Sequence, residues 1–515
     1  MANAELFTTG VAQQALGDTR NQAGALAYAY PPRHQLAQLA VTGCLNRTFY
    51  AEAETQLVEV LRLVGELDAR YVAKAALYAR ERSHMKDMPA LLLAALTAQC
   101  SSLVPALFER VVDNGKMLRT FVQILRSGVT GRKSLGTQPK RLVQTWLNTA
   151  SERQLLQAAV GSRPALADLV KMVHPKPSEA WREAFFAWLI GRPVEASALP
   201  PLTQALLAFR SGASSVLPDV PFQLLGNERL TPAQWAELAS RMGWQALRMN
   251  LNTLVRHGAF DIEGCAEQVA RRLADGAAMA KARVYPYQVL AAYRMTGEGV
   301  PQVVREALQD ALELALANVP VLDGQVVICP DVSGSMTSPV TGYRKGATTA
   351  VRCIDVAALV AAAILRKQPR AQVLPFENKV VEVQLNPRDS VMTNAEKLAA
   401  IGGGTNCSAP LRLLADAKAK VDTLILVSDN ESWIDDRRHG ATETLRQWER
   451  IKLINPHARL ICIDLQPYGT TQAIDRADIL NVGGFSDAVF DVMAQFVNGT
   501  FEIAHWVAAI ERMEL

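Results

Sequence analysis

Along the first 318 residues apolar positions recur at spacings of three and four, which predicts a succession of amphipathic helices. Leu57 to Leu67, Ala69 to Arg82, Pro89 to Leu96, Val104 to Asn114 and Met117 to Ser127 each carry this period. Short Gly, Pro or Asn breaks separate them, and alternating β-branched runs are almost absent. Many short helices in sequence predict a stacked, HEAT-like array, although no strict repeat period is legible.

Near residue 320 the rhythm changes. Gln325 to Pro330, Ala371 to Phe376, Val380 to Gln384, Thr423 to Ser428 and Leu460 to Leu465 are short apolar runs of the kind that forms strands. Helical segments lie between them, the first from Thr348 to Lys367. Alternation of this kind predicts a doubly wound parallel sheet. The chain therefore reads as two domains, an all-α domain over 1–318 and an α/β domain over 319–515, joined at Val319-Pro320-Val321-Leu322. A length of 515 residues is itself too great for one core.

Composition narrows the functional classes. Apolar residues form 49% and charged residues 20%, the balance of a folded soluble protein. No apolar run is long enough to span a membrane, and Met1 to Glu5 shows no signal-peptide character, so no membrane association is expected. Seven scattered cysteines without metal-ligand spacing suit a reducing, cytoplasmic setting. The net charge of +4 divides unevenly: Lys and Arg exceed Asp and Glu by 7 over 1–318, and fall short by 3 over 319–515. The first domain is thus the better candidate for a polyanion.

The densest chemistry follows the first predicted strand. Asp331-Val332-Ser333-Gly334-Ser335 places a carboxylate and two hydroxyls where ligands bind in parallel sheets. Gly334 is expected to turn the loop sharply. Gly402-Gly403-Gly404-Thr405 adds a flexible loop with a hydroxyl, and Thr423 to Asp429 is a strand ending in a second carboxylate. Hard divalent cations such as Mg²⁺ take such oxygen ligands. Asp331, Ser333, Ser335, Thr405 and Asp429 together resemble the metal-ion-dependent adhesion site of von Willebrand factor A domains. With little protein charge around it, the cation's remaining position suits a partner's carboxylate or a phosphate. No general base is evident; His439, the nearest by sequence, lies in the polar run Asp435 to His439, which reads as a solvated loop. The site therefore reads as a binding device and the protein as a non-enzyme.

From Asn114 to Ser151 there is no acidic residue, and the same window holds Lys116, Arg119, Arg126, Arg132, Lys133, Lys140 and Arg141. Such a stretch can neutralise phosphates and release counterions. Around it lie segments that resemble the TROVE family of Ro autoantigen-like proteins: Ala76 to Glu81 with Met88 to Leu93, Gly131-Arg132-Lys133 to Trp146, and Asp168 to Pro177 with its His-x-Lys-Pro ending. Ala246 to Leu251, Lys281 to Tyr287 and Val482 to Phe490 are similar as well. The segment before the His-x-Lys-Pro helix, Leu155 to Arg163, carries fewer basic residues than is usual in that family.

The resemblance implies a ring of helical repeats closed by the metal domain. It also implies a basic surface for small structured Y RNAs and entry of single-stranded ends of defective RNAs into a central hole. The basic window, His174 and Lys176 are the positions that carry over. The expected function is a non-catalytic scaffold for quality control of small non-coding or misfolded RNA, with no role on DNA. A protein partner, such as an RNA-processing enzyme, would bind through the metal site. The alternative is a metal-dependent adaptor for an ATPase or another complex, with the helices as its platform.

Overall fold

The computed structural model describes residues 15–43, 45–161, 163–225, 228–282, 284–316, 319–343, 351–399, 402–434, 440–484, 487–498 and 505–515. The chain divides into two compact units, and the division is not a single cut near 318. One unit gathers residues 1–60, 283–295 and 308–509; the other comprises 61–282, 296–307 and 510–515.

The second unit is helical, and its helices pack mainly on near neighbours along the chain. Helix Gly115–Ser127 shows how local chemistry sets each piece. The Asn114 side chain accepts from Lys116 N and Met117 N, both at 3.0 Å, and so caps the first turn. Met117, Leu118, Phe121, Val122 and Leu125 form its buried stripe, and Gly128, at φ 85°, ends it. Gly115 is needed for packing: a Cβ there would fall 2.2 Å from Ala158 Cβ in helix Glu152–Ala159. Arginines tie neighbouring helices together by bonding the carbonyls left open at helix C-termini. Arg182 donates to Leu147 O and Ala150 O at the end of helix Thr137–Thr149, and Arg272 donates to Ala239 O and Met242 O.

The first unit is built on a five-stranded, wholly parallel sheet. Its strands are β3 (Val326–Pro330), β4 (Gln372–Val373), β5 (Thr423–Ser428), β6 (Arg459–Asp464) and β8 (Ile479–Gly483), in the order β4-β3-β5-β6-β8. Every residue of β3 and β5 is buried, as a sheet covered on both faces requires. After β3 the chain builds β4 on one side of it, then returns to build β5 on the other. The crevice at this switch point lies outside the carboxyl ends of β3 and β5. Trp448, Phe376, Leu411 and Leu424 lie in the core beneath.

Residues of the N-terminal segment belong to this unit. Strands β1 (Thr19–Arg20) and β2 (Leu26–Ala29) form a small antiparallel sheet with β7 (Thr470–Thr471). Tyr28 enters the α/β core. Helix Pro32–Thr42 lies so close to β8 that a Cβ at Gly483 would meet Gln38 Oε1 at 1.8 Å. The expectation of helices alone before residue 318 therefore fails at its start: Leu-Ala-Tyr-Ala is a strand because it finds a sheet edge, not because it is β-branched.

Two sequence expectations are corrected in detail. Val380 to Gln384 is not a strand; Val380 makes only an isolated bridge to Phe376. The strand expected over Ala371 to Phe376 is reduced to Gln372–Val373 plus a bridge from Phe376 to Asp331. Residues 435–439, including His439, lie outside the described residues. Among the described residues no helix is long and apolar enough to cross a membrane, and the six described cysteines are free.

Candidate metal centre and basic surface

Each expected metal ligand lies on the switch-point crevice by local necessity. Asp331 follows β3 and Asp429 follows β5, adjacent strands in register from Val326↔Thr423 to Pro330↔Val427. The two carboxylates therefore emerge side by side. Ser333 N donates to Asp331 Oδ1 (2.8 Å) and the Ser428 hydroxyl to Asp331 Oδ2 (2.6 Å), which fixes the first carboxylate. Ser333 Oγ lies 3.3 Å from Ser335 Oγ.

Gly334 has an ordinary φ of −64°, so the turn does not depend on glycine there. Its role is close approach. Gly334 N donates to Gly403 O at 2.7 Å, and a Cβ would stand 3.2 Å from that oxygen. This contact draws the glycine loop, and with it the backbone around Thr405, onto the Asp331 loop. Trp433 N and Ile434 N both donate to Thr405 O. The loop expected to be flexible is therefore anchored, and Asp331, Ser333, Ser335, Thr405 and Asp429 are all between 0% and 4% exposed.

The electrostatics of the crevice are one-sided. Glu431 and Asp464 are buried as well, and the Asp429 charge acts on both. Among the described residues no lysine or arginine pairs with any of them. Burial, and then the Asp429 charge, raises the carboxyls of Asp331 and Glu431 and pushes Asp464 up to about 8. Burial likewise raises Asp429 itself. Asp429 Oδ2 and Glu431 Oε1 are buried with no hydrogen-bond partner. Buried carboxylates left without a counter-charge are costly, by several kcal/mol each. The crevice thus fits a small hard cation taken up through carboxylate and hydroxyl oxygens. It does not have the form of a His- or Cys-rich site; among the described residues no cluster of three or more His, Cys, Asp or Glu side chains is arranged to hold a metal. Glu431, two residues past Asp429, was visible in the sequence but not recognised. Ser428 and Asp464 had no signal there, because strand pairing alone brings them near Asp331 and Asp429.

In the helical unit the expected RNA-contact residues separate into two kinds. Lys116, Arg126, Lys133, Arg141, His174 and Lys176 are exposed, and Lys140 is half-buried. Arg119 and Arg132 turn inward. Arg119 donates to Val160 O (2.6 Å) and Pro164 O (3.4 Å), and burial lowers its pKa from the ordinary value. Arg132 donates to Thr97 O at 2.8 Å. These two hold loops and helix ends.

The outward residues converge on one face. His174 ends helix Leu166–Val173 in a left-handed conformation, φ 50°. The following turn is held by helix Thr137–Thr149, where Gln144 donates to Val173 O (2.6 Å) and Asn148 to Lys176 O (3.5 Å). Arg141, Gln144 and Asn148 are three and four residues apart and share a helix face. Arg126 reaches Met172 Sδ at 4.0 Å from helix Gly115–Ser127. Arg126, Arg141, His174 and Lys176 thus come from three helices onto one surface. The sequence showed the charges but not that Gln144 and Asn148 aim the turn.

Comparison with known proteins finds similarity to Ro proteins. Residues 325–497 match the family model of the Ro60 von Willebrand factor A domain. The chain is 28% identical over 524 residues to the RNA-binding protein RO60 of Deinococcus radiodurans, spanning 93% of this chain and 95% of that one. It is 23% identical over 285 residues to the RNA-binding protein RO60 of Caenorhabditis elegans, covering 51% of this chain and 43% of the relative. The crystal structure of the Deinococcus radiodurans RO (RSR) protein superposes with a TM-score of 0.63 at 23% identity, over 92% of this chain and all of that one. The resemblance to Ro proteins therefore runs through nearly the whole chain, and its fold, helical repeats with a von Willebrand factor A domain, is that of the solved Ro structure.

Proposed function

We propose that this Ro-like chain is a non-catalytic RNA-binding scaffold, and that it takes small structured non-coding RNAs of the Y RNA kind together with single-stranded ends of defective RNAs. The observation that carries the reading is the convergence of Arg126, Arg141, His174 and Lys176 on one exposed face. Full-length similarity to a protein named as RNA-binding supports it. Lys116, Arg126, Lys133, Arg141 and Lys176 neutralise phosphates, which gives affinity without sequence preference. His174, presented on a held turn, donates to a phosphate or stacks on an unpaired base. A scaffold that reads backbone charge and unpaired ends suits quality control, since misfolded RNAs differ from sound ones in what they leave single-stranded.

The metal reading belongs to the same proposal. Asp331, Ser333, Ser335, Thr405 and Asp429 would hold Mg²⁺, which supplies the counter-charge that the four buried acids lack. Asp464 and Glu431, both buried and both acted on by the Asp429 charge, add negative charge.

The test is direct. Protein purified from cells grown without added RNA, washed at moderate salt, should retain RNA that extraction and sequencing identify as small structured species. Binding of a labelled hairpin with a 3′ single-stranded tail should weaken steeply with salt. Recovery of RNA-free protein that binds neither hairpin nor tail at 50 mM salt would end the reading.

A further inference from the structure

A cavity of about 400 Å³ lies in the helical unit and shares no lining residue with the basic face. It opens between helix Glu152–Ala159, the loop 218–223 and the joint of helices Pro232–Arg241 and Trp244–Met249. A volume of this size is that of a small-molecule site and far exceeds what one water fills. The loop is stiff and tied on both sides. Pro218 and Pro221 have fixed φ, Val220 N donates to Pro218 O (2.9 Å) and Leu224 N to Pro221 O (2.9 Å). Arg153 Nη2 pairs with Asp219 across the cavity rim. Arg241 Nη1 donates to Leu217 O at 3.2 Å, and its Nη2 pairs with Glu237. Gly243 forms part of the wall. Its φ of −64° suits any residue, and a Cβ built on it meets nothing within 4 Å. Neither backbone strain nor close packing requires a glycine there; what glycine does is leave the cavity open.

The lining has two chemistries. Val220, Leu238 and Met242 are buried and Phe222 is half-buried, which gives an apolar floor with one aromatic ring. Such a floor takes a flat heteroaromatic ring. The rim is polar and solvated. Arg153 commits only Nη2 to Asp219, and Arg241 only its two terminal nitrogens, so both guanidinium groups keep N–H donors suited to a phosphate. The Asp219 carboxylate, beside Arg153, accepts from hydroxyls, as acidic residues do from ribose. Base surface, hydroxyl acceptor and phosphate donor therefore surround one space. We infer that this cavity takes a single ribonucleotide, with its base against Phe222 and Met242, its ribose on Asp219 and its phosphate on Arg153 and Arg241. The nucleotide has two sources, an unpaired end of an RNA chain or a free nucleotide. The first rests on the RNA-scaffold reading and gives it a place, separate from the charged face, where a single-stranded end is held.

The experiment uses the full chain, freed of RNA by nuclease and high salt. AMP and UMP are titrated by calorimetry, and a blunt hairpin and a hairpin with a 3′ single-stranded tail by anisotropy. Wild type should bind the nucleotides with a Kd below about 1 mM. Their deoxyribose forms should bind about three- to tenfold more weakly, having lost one hydrogen bond. Gly243→Leu fills the cavity and should weaken nucleotide binding about tenfold or more. Arg153→Ala, a change at the solvated rim, serves if Gly243→Leu unfolds; it should weaken AMP about tenfold and leave adenosine binding as it was. Loss of the preference for tailed over blunt hairpin in Gly243→Leu identifies the occupant as an RNA end. Loss of AMP binding alone, with the tail preference kept, identifies a free nucleotide. If both folded variants bind nucleotides and tail as wild type does, or if wild type binds no nucleotide and shows no preference for the tail, the cavity inference is overturned. Hairpin binding that persists in that case leaves the RNA-scaffold reading standing. If AMP binds through the cavity but no RNA does, the scaffold reading falls and the cavity stands.

Discussion

The division between outward and inward basic residues has a quantitative consequence. Lys133, Arg141 and Lys176 are exposed and form no ion pair among the described residues. In the triple variant Lys133→Ala, Arg141→Ala, Lys176→Ala, three phosphate contacts are lost if each side chain makes one. Each contact contributes a log–log salt slope of about 0.7 to 0.9, so the slope should flatten by about 2 to 3. At 0.1 M salt the same relation removes about 2 to 3 powers of ten in affinity, or about 3 to 4 kcal/mol. Exposed positions of this kind change stability by less than about 0.5 kcal/mol, so the melting temperature should hardly move. Arg119→Ala is the counter-case. It removes donors to Val160 O and Pro164 O, and stability should fall by about 1 to 3 kcal/mol while the salt slope stays as in wild type. Fluorescence anisotropy with a tailed hairpin at 50 to 300 mM salt, beside thermal unfolding, reads both quantities. An unchanged slope in the triple variant, or a slope that falls in Arg119→Ala without loss of stability, would refute the assignment of these residues.

Other expectations follow from single contacts. Gly115→Ala places a methyl 2.2 Å from Ala158 Cβ and 2.6 Å from its Cα, so the two helices must part; a loss of about 1 to 3 kcal/mol is expected in denaturant unfolding. Asp355 is buried, which by itself would raise its pKa, but Arg352 and Arg294 outweigh this and hold it below the usual carboxylate range. The stability it adds is therefore present above the unfolded pKa of about 4 and is lost as pH falls through the lower folded value. Asp355→Asn should accordingly melt below wild type at pH 7, with the gap closing below about pH 4 in a pH series of melting curves. The basic residues belong to the helical unit and the metal ligands to the α/β unit. EDTA should therefore shift RNA affinity by less than tenfold, about 1.4 kcal/mol, in the same anisotropy assay; a larger loss would mean that the metal supports RNA binding.

Where an element's own chemistry decides its form, the sequence was enough. The 3.6-residue period of Met117, Phe121 and Leu125 marks a helix because one face must be buried, and the Asn114 cap and Gly128 stop bound it. The runs before Asp331 and Asp429 mark parallel strands because a sheet covered on both faces admits apolar residues at every position. Once two such strands are neighbours, their terminal carboxylates emerge side by side, so the meeting of Asp331 and Asp429 was legible from the strand ends. Val380 to Gln384 shows the limit: its alternation suits a strand, but only Val380 makes a bridge, and that to Phe376 rather than within a sheet. Tertiary structure alone decided which residues far apart in the chain complete each site. Leu26–Ala29 became a strand because Thr470–Thr471 offered an edge, and that pairing carries the N-terminal segment into the α/β unit. Arg119 and Lys116 look alike in a basic window, yet the open carbonyls of Val160 and Pro164 draw one inward and leave the other in solvent. Periodicity reports which face is buried; it does not report what the face is buried against, and the functional geometry of this protein depends on that second fact.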